Sequence, residues 1–130
     1  MKAAVVIAIG GSLGALSRFW LGRFIQEQAP NAVLPWGTFI VNMLGAFALG
    51  FFLTVLSDRV LWAAAVGTGF LGSFTTFSTF AWETINLLRE RSFSAAALYA
   101  SVSLAVAGAA VLAGMVLGSW LQSGRLPGAE

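Results

Sequence analysis

The side chains able to do chemistry in this sequence are few, and most stand in one short run. Gly72-Ser73-Phe74-Thr75-Thr76-Phe77-Ser78-Thr79-Phe80 holds hydroxyls at 73, 75, 76, 78 and 79, with phenylalanines between them. Elsewhere stand Asn42 with Thr38 one turn before it, Arg18, and Tyr99 with Ser101 and Ser103. There is no cysteine and no histidine, which excludes disulfides, thiolate metal sites, His-activated nucleophiles and imidazole proton relays. The acids are Glu27, Asp58, Glu83, Glu90 and Glu130, too scattered for a hydrolytic carboxylate pair or a hard-metal cage. What is left is hydroxyls, an amide, backbone carbonyls, aromatic rings and a guanidinium. An enzyme is not expected.

Each pattern has a bland use beside the sharper one. Thr38 and Asn42 share a helix face; the amide either bonds across to another helix or donates to an anion without bringing a charge. Arg18 either snorkels to the interface or lines an anion vestibule. Tyr99 and Ser103, also four apart, either join helices or line a polar track. Gly67, Gly69 and Gly72 weaken the helix just before the hydroxyl run, where Ser and Thr compete for backbone groups. Those hydroxyls could bond back to the preceding turn of a kinked helix. Alternatively the helix breaks, and freed carbonyls at a break can hold Na+. Paired across an antiparallel two-fold axis, two carbonyls from each chain would make a four-oxygen cage. Phe77 and Phe80 share a face, with Phe70, Phe74 and Phe77 as a second line. A phenylalanine stripe usually packs, but ring edges are positive and could line the path of a small anion. Glu83 is the one acid inside an apolar segment, either interfacial or a vestibule charge.

These groups must be carried by membrane helices. The 130 residues are 58% hydrophobic and 9% charged, with a mean hydropathy of +0.87; soluble domains carry about 25% charged residues. Segments at about 3–24, 34–56, 61–88 and 93–121 are apolar enough for spans of about 20 residues. The short connectors hold most of the charge, and a polar tail with Pro127 follows Gly124. Trp20, Trp36, Trp62, Trp82 and Trp120 mostly sit near segment ends, as interfacial rings do. Lys2 and the apolar run after it have the flavour of a signal peptide, but another membrane chain follows, so the run reads as the first span. Gly10-x-x-x-Gly14, Ala46-x-x-x-Gly50 and Gly114-x-x-x-Gly118 suit close helix packing; the first also has the look of a nucleotide loop but lacks the preceding strand. The pI near 10.0 reflects a net charge of only +2 with no basic run, so nucleic acid is not an expected partner. Four spans place both termini on one side. Lys2, Arg59 and Arg125 then face Arg23, Arg89 and Arg91, a balance compatible with one weak bias or with insertion in both orientations.

At these residues the chain resembles the Fluc fluoride channels, also called CrcB proteins. The resemblance rests on Gly14-Ala15-x-x-Arg18, on Gly37-Thr38-Phe39-x-Val41-Asn42-x-x-Gly45, and on Gly69-Phe70-x-Gly72-x-x-Thr75-Thr76-Phe77-Ser78-Thr79-Phe80. It implies an all-α membrane protein with four transmembrane helices, the third broken near its middle, working as an antiparallel dual-topology homodimer. It implies passive, selective export of fluoride across a bacterial cytoplasmic membrane through two pores. Phe77 and Phe80 match the ring-edge residues of that path, Asn42 the pore-lining amide, Thr79 a hydroxyl beside it and Arg18 a vestibule cation; Thr38 shares the face of Asn42. Tyr99 and Ser103 match the start of a polar track whose next position is Ala107 here. Gly72 and Thr75 match the carbonyls, taken from both chains, that hold a central structural Na+. The runner-up is a small dual-topology proton-coupled exporter of drugs or cations. That mechanism needs an acid buried in the first span, where this chain has Arg18. A non-transporting membrane subunit would leave Asn42 and the broken run unexplained.

Overall fold

The computed structural model describes residues 1–124; the remainder of the polar tail, including Arg125 of the charge count and Pro127, lies outside them. Helix α1 spans Lys2–Gln28, α2 spans Trp36–Val55 and α6 spans Phe93–Ser123. The third span is composite. It runs through α3 (Val60–Ala63), a π-helical stretch (Ala64–Leu71) and α4 (Gly72–Phe74), then two extended residues, then α5 (Phe77–Arg89). Four helical units are long and apolar enough to cross a bilayer, and among the described residues there is no strand. The chain is a multi-pass membrane protein.

The helix ends follow local chemistry. The first helix continues to Gln28 instead of ending near residue 24, with Arg23 Nε donating to Glu27 Oε1 at 2.7 Å one turn on. Pro30 then disfavours helix for Ala29, which turns out at φ −133° and ψ 61°. At the end of α5, Arg91 N–H bonds to the Leu88 carbonyl and Ser92 N–H to the Leu87 carbonyl, both near 3.0 Å. This six-to-one closure puts Arg91 at φ 59°, the left-handed position where glycine is usual.

The small-residue motifs lie at close helix crossings. A methyl at Gly14 would collide with the Phe70 carbonyl of the π-helical stretch, and one at Gly114 with the Phe47 carbonyl of α2. Two backbone surfaces thus touch without side chains between them, the arrangement that holds helices together where lipid removes the hydrophobic drive. α1 packs on the π-helical stretch, α2 along α6, and α5 on α6. Leu87, Ala96 and Tyr99 are buried together, with Phe39 and Phe80 against them. The outer faces are apolar and open: Phe19, Trp20, Trp62, Trp82 and Trp120 are each more than half exposed, as lipid-facing or chain-facing positions are.

The glycines and the break are separate features. Gly67 and Gly69 lie in the widened π-helical turns, which still run continuously into α4. The chain opens only at Thr75 (φ −80°, ψ 156°) and Thr76 (φ −147°, ψ 116°), after the last glycine. Glycine lowers the cost of the irregular helix, and hydroxyl competition for backbone groups ends it.

Candidate functional site

The break is built from three side chains. Thr75 Oγ1 donates back to the Leu71 carbonyl at 3.0 Å, and Thr75 N–H reaches the same oxygen at 3.0 Å. Asn42, from α2, holds the next residue by both backbone groups. Thr76 N–H donates to Asn42 Oδ1 at 2.8 Å, and Asn42 Nδ2 donates to the Thr76 carbonyl at 3.1 Å. Thr76 then caps α5: its Oγ1 accepts from Thr79 N–H at 3.2 Å and donates to Thr79 Oγ1 at 3.0 Å. A threonine N-cap followed by the first turn is an ordinary helix start. Here it stands in the middle of a membrane span.

Two cavities share Thr76. The first, about 250 Å³, is lined by Arg18, Gln26, Thr38, Thr79 and Glu83 as well. Arg18 is half-buried, and among the described residues its guanidinium has no ion-pair partner. Glu83 is held from two sides: Thr38 Oγ1 donates to Oε1 at 2.7 Å and Tyr99 Oη to Oε2 at 2.8 Å. One carboxylate therefore ties α2, α5 and α6. Gln26 Oε1 accepts the N–H of Gly37 at 3.3 Å, joining α1 to the start of α2.

The second cavity, about 260 Å³, is lined by Asn42, Thr75, Phe77, Phe80 and Ser103 among a largely aliphatic wall that includes Leu104, Ala107 and Val111. The rings of Phe77 and Phe80 lie 5.7 Å apart and tilted by 47°; Phe80 lies 5.3 Å from Tyr99 at 49°. Phe77 is 75% exposed on this single chain. Ser103 is buried, and among the described residues its Oγ has no hydrogen-bond partner.

The structure thus brings Arg18, Thr38 and Thr79 to one cavity and Asn42, Phe77, Phe80 and Ser103 to the other. Tyr99 directs its hydroxyl to Glu83, so it does not share the second cavity with Ser103. The second phenylalanine line is interrupted. Phe70 and Phe74 stack at 5.8 Å, whereas the break turns Phe77 toward Phe80. Gly72 is exposed and Thr75 half-buried, on either side of α4's last turn. Sequence reasoning missed Thr76 as a capping and bridging residue and Gln26 as a cavity residue, and it left Glu83 without partners. A Thr-x-x-Thr spacing before an amphipathic run was the available signal for the cap.

Comparison with known proteins places this arrangement in a family. The family profile described as CrcB-like protein, Camphor Resistance (CrcB), matches residues 5–115. A protein of Acidobacterium capsulatum named Fluoride-specific ion channel FluC is 42% identical over 117 residues, covering 87% of this chain and 93% of that protein. One of the same name from Thermosipho melanesiensis is 43% identical over 118 residues, covering 88% and 94%. Another from Thermococcus onnurineus is 39% identical over 120 residues, covering 89% and 95%. Those relatives are named as channels, not as enzymes. The profile takes in the second and third spans, most of the first and fourth, both cavities and the break between α4 and α5, and the chain belongs to the CrcB family.

Proposed function

We propose that this protein is a passive, selective fluoride channel that lets fluoride leave the cell across the cytoplasmic membrane of a bacterium. The single observation that carries this is a capped helix break at membrane depth, flanked by two cavities, in a chain about 40% identical to proteins named fluoride-specific channels. Arg18 draws the anion into the first cavity. Past Thr76, the ring edges of Phe77 and Phe80 and the free hydroxyl of Ser103 line the second. Weak contacts of this kind let an ion leave as well as enter. The hydroxyls of Thr38 and Tyr99 are already donated to Glu83, so fluoride meets them only by displacing that carboxylate.

Two copies in antiparallel orientation form the working unit. Backbone groups without partners are not left facing lipid, yet Gly72, whose carbonyl has lost its helical donor, and Phe77, Ser78 and Thr79 in the first turn of α5 are exposed on one chain. A second copy would cover them. The Gly72 and Thr75 carbonyls of both chains would hold a structural Na+ between the copies. The donor set suits such an ion: Thr76 N–H, the α-helical donor to Gly72, goes to Asn42, and Thr79 N–H, the donor to Thr75, goes to Thr76 Oγ1. Bound there, the cation supplies fixed positive charge and ties the breaks together.

A proton-coupled cation exporter is disfavoured, since α1 has no acid before Glu27 and both oxygens of Glu83 are hydrogen-bonded. The test is purified protein in liposomes loaded with KF. Fluoride should leave when valinomycin balances the charge, with no proton gradient. No efflux, or efflux that needs a proton gradient, overturns the reading.

A further inference from the structure

In an unbroken α-helix each N–H bonds to the carbonyl four residues back. Thr75 still obeys this, donating to Leu71. The ladder stops one residue later, and two side-chain oxygens stop it. Asn42 Oδ1 takes the Thr76 N–H that would have gone to Gly72, at 2.8 Å. Thr76 Oγ1 takes the Thr79 N–H that would have gone to Thr75, at 3.2 Å. Gly72 and Thr75 are the two residues whose carbonyls would face the cation. The neighbouring Leu71 carbonyl makes the contrast. It accepts both Thr75 N–H and Thr75 Oγ1, which leaves it saturated.

We infer that Asn42 and Thr76 are positioning residues for the carbonyl cation site, each withdrawing the amide proton that would otherwise occupy one of its two oxygens. This rests on the reading of Gly72 and Thr75 as Na+ ligands. The two act differently. Thr76 works within its own span, as the cap of α5. Asn42 works from α2 and also accepts a fixed orientation, because its Nδ2 bonds the Thr76 carbonyl at 3.1 Å. A residue that lines the second cavity thereby also sets how strongly the break binds a cation. A carbonyl already bonded along a helix axis offers a cation less than a free one, by about the net value of one hydrogen bond, which is severalfold in affinity.

The experiment is a thermal-unfolding titration of detergent-purified dimer with NaCl replacing N-methylglucamine chloride at fixed ionic strength. The wild type should gain Tm with Na+ and give a midpoint. Thr76→Val, nearly isosteric but without the oxygen, should raise that midpoint by about fivefold, and Thr76→Ser should restore it. Asn42→Ala should raise it similarly. Ser119→Ala, near the far end of α6 where its hydroxyl bonds the Met115 carbonyl, should leave it unchanged. Thr76→Val lowering Tm equally at every Na+ concentration, with the midpoint within about twofold of wild type, overturns the assignment. If Asn42→Ala fails to fold, the Thr76 pair decides alone. A wild type with no response specific to Na+ removes the cation itself, and with it this assignment. A normal wild-type response with unmoved variants removes only the assignment.

Discussion

The two cavities that share Thr76 are close in size, about 250 and about 260 Å³, and opposite in chemistry. The one at Arg18 holds a cation and a carboxylate, and its hydroxyls are committed: Thr38 to Glu83, Thr76 to Thr79. The one at Phe80 is walled mostly by aliphatic and aromatic side chains; of the hydroxyls on its wall, those of Thr75 and Thr76 are committed within the break, and that of Ser103 has no partner among the described residues. Under the proposed function, the difference separates two tasks. Charge concentrates an anion from water over distances near the Debye length. A dry wall with ring edges and one free donor then exchanges its hydration for contacts too weak to trap it. The bidentate Asn42–Thr76 pair lies between, so neither cavity can be altered at that point without altering the break.

The largest effect is expected at this shared point. Asn42→Asp places a negative charge beside the path and aims an oxygen at the Thr76 carbonyl in place of the Nδ2 donor. A like charge about 5 Å from the passing anion, at an effective dielectric near 20, raises the barrier by about 3 kcal/mol, or more than about 100-fold in flux. Fluoride efflux from liposomes should fall below detection. Conduction within about threefold of wild type would remove Asn42 from the path.

Next comes the dry cavity. Phe80→Ile keeps an apolar wall but loses the ring that lies 5.7 Å from Phe77 and 5.3 Å from Tyr99. Edge interactions of this size are about 0.5–1.5 kcal/mol, so unitary flux should drop by about tenfold. An unchanged rate would mean that any apolar surface serves, and the contrast between the cavities would reduce to charge alone.

How much of this contrast can be read from the sequence varies with its physical origin. The spans are legible, because about 20 apolar residues and short charged connectors admit few alternatives in lipid. The break is legible as well, from Gly67, Gly69 and Gly72 ahead of a hydroxyl run, although it opens at Thr75–Thr76 instead of at the glycines. What stays hidden depends on partners distant in sequence. Thr76 becomes a bridge only because Asn42, thirty-four residues earlier, reaches its backbone. Glu83 becomes a tie only when Thr38 and Tyr99 arrive from two other helices. No local spacing encodes those meetings. The proposed pairing of two copies has a sequence signal in the balanced connector charges, and the proposed identity of both ions rests on the family resemblance, which the relatives' names support for fluoride.

The charged cavity should give a smaller, salt-dependent effect. Arg18→Gln removes the guanidinium, which has no ion-pair partner among the described residues, but leaves the wall polar. Flux should fall by about fivefold at 10 mM ionic strength, where the Debye length is about 30 Å. It should return to near wild type at 1 M, where that length is about 3 Å. A loss independent of salt would make Arg18 a direct ligand and not a source of attraction.

The smallest flux effect is expected at Ser103, and it discriminates most finely because stability and flux should move in opposite directions. Its Oγ is buried and bonds to no protein group among the described residues, and a hydroxyl that stays unmet on folding costs about 1 kcal/mol or more. Ser103→Ala removes that burden with little change of volume and should stabilise the protein by about 1 kcal/mol. If the hydroxyl is the donor that a partly dehydrated anion meets in the second cavity, the same substitution should lower fluoride flux by about twofold to threefold, the value of one weak hydrogen bond. A packing residue would give the stabilisation alone. A residue bonded to something permanent, such as a bound water or the second chain, would be destabilised by its loss. Thermal unfolding and liposome efflux measured on one preparation therefore separate the three cases, and only stabilisation with slower efflux keeps Ser103 on the path.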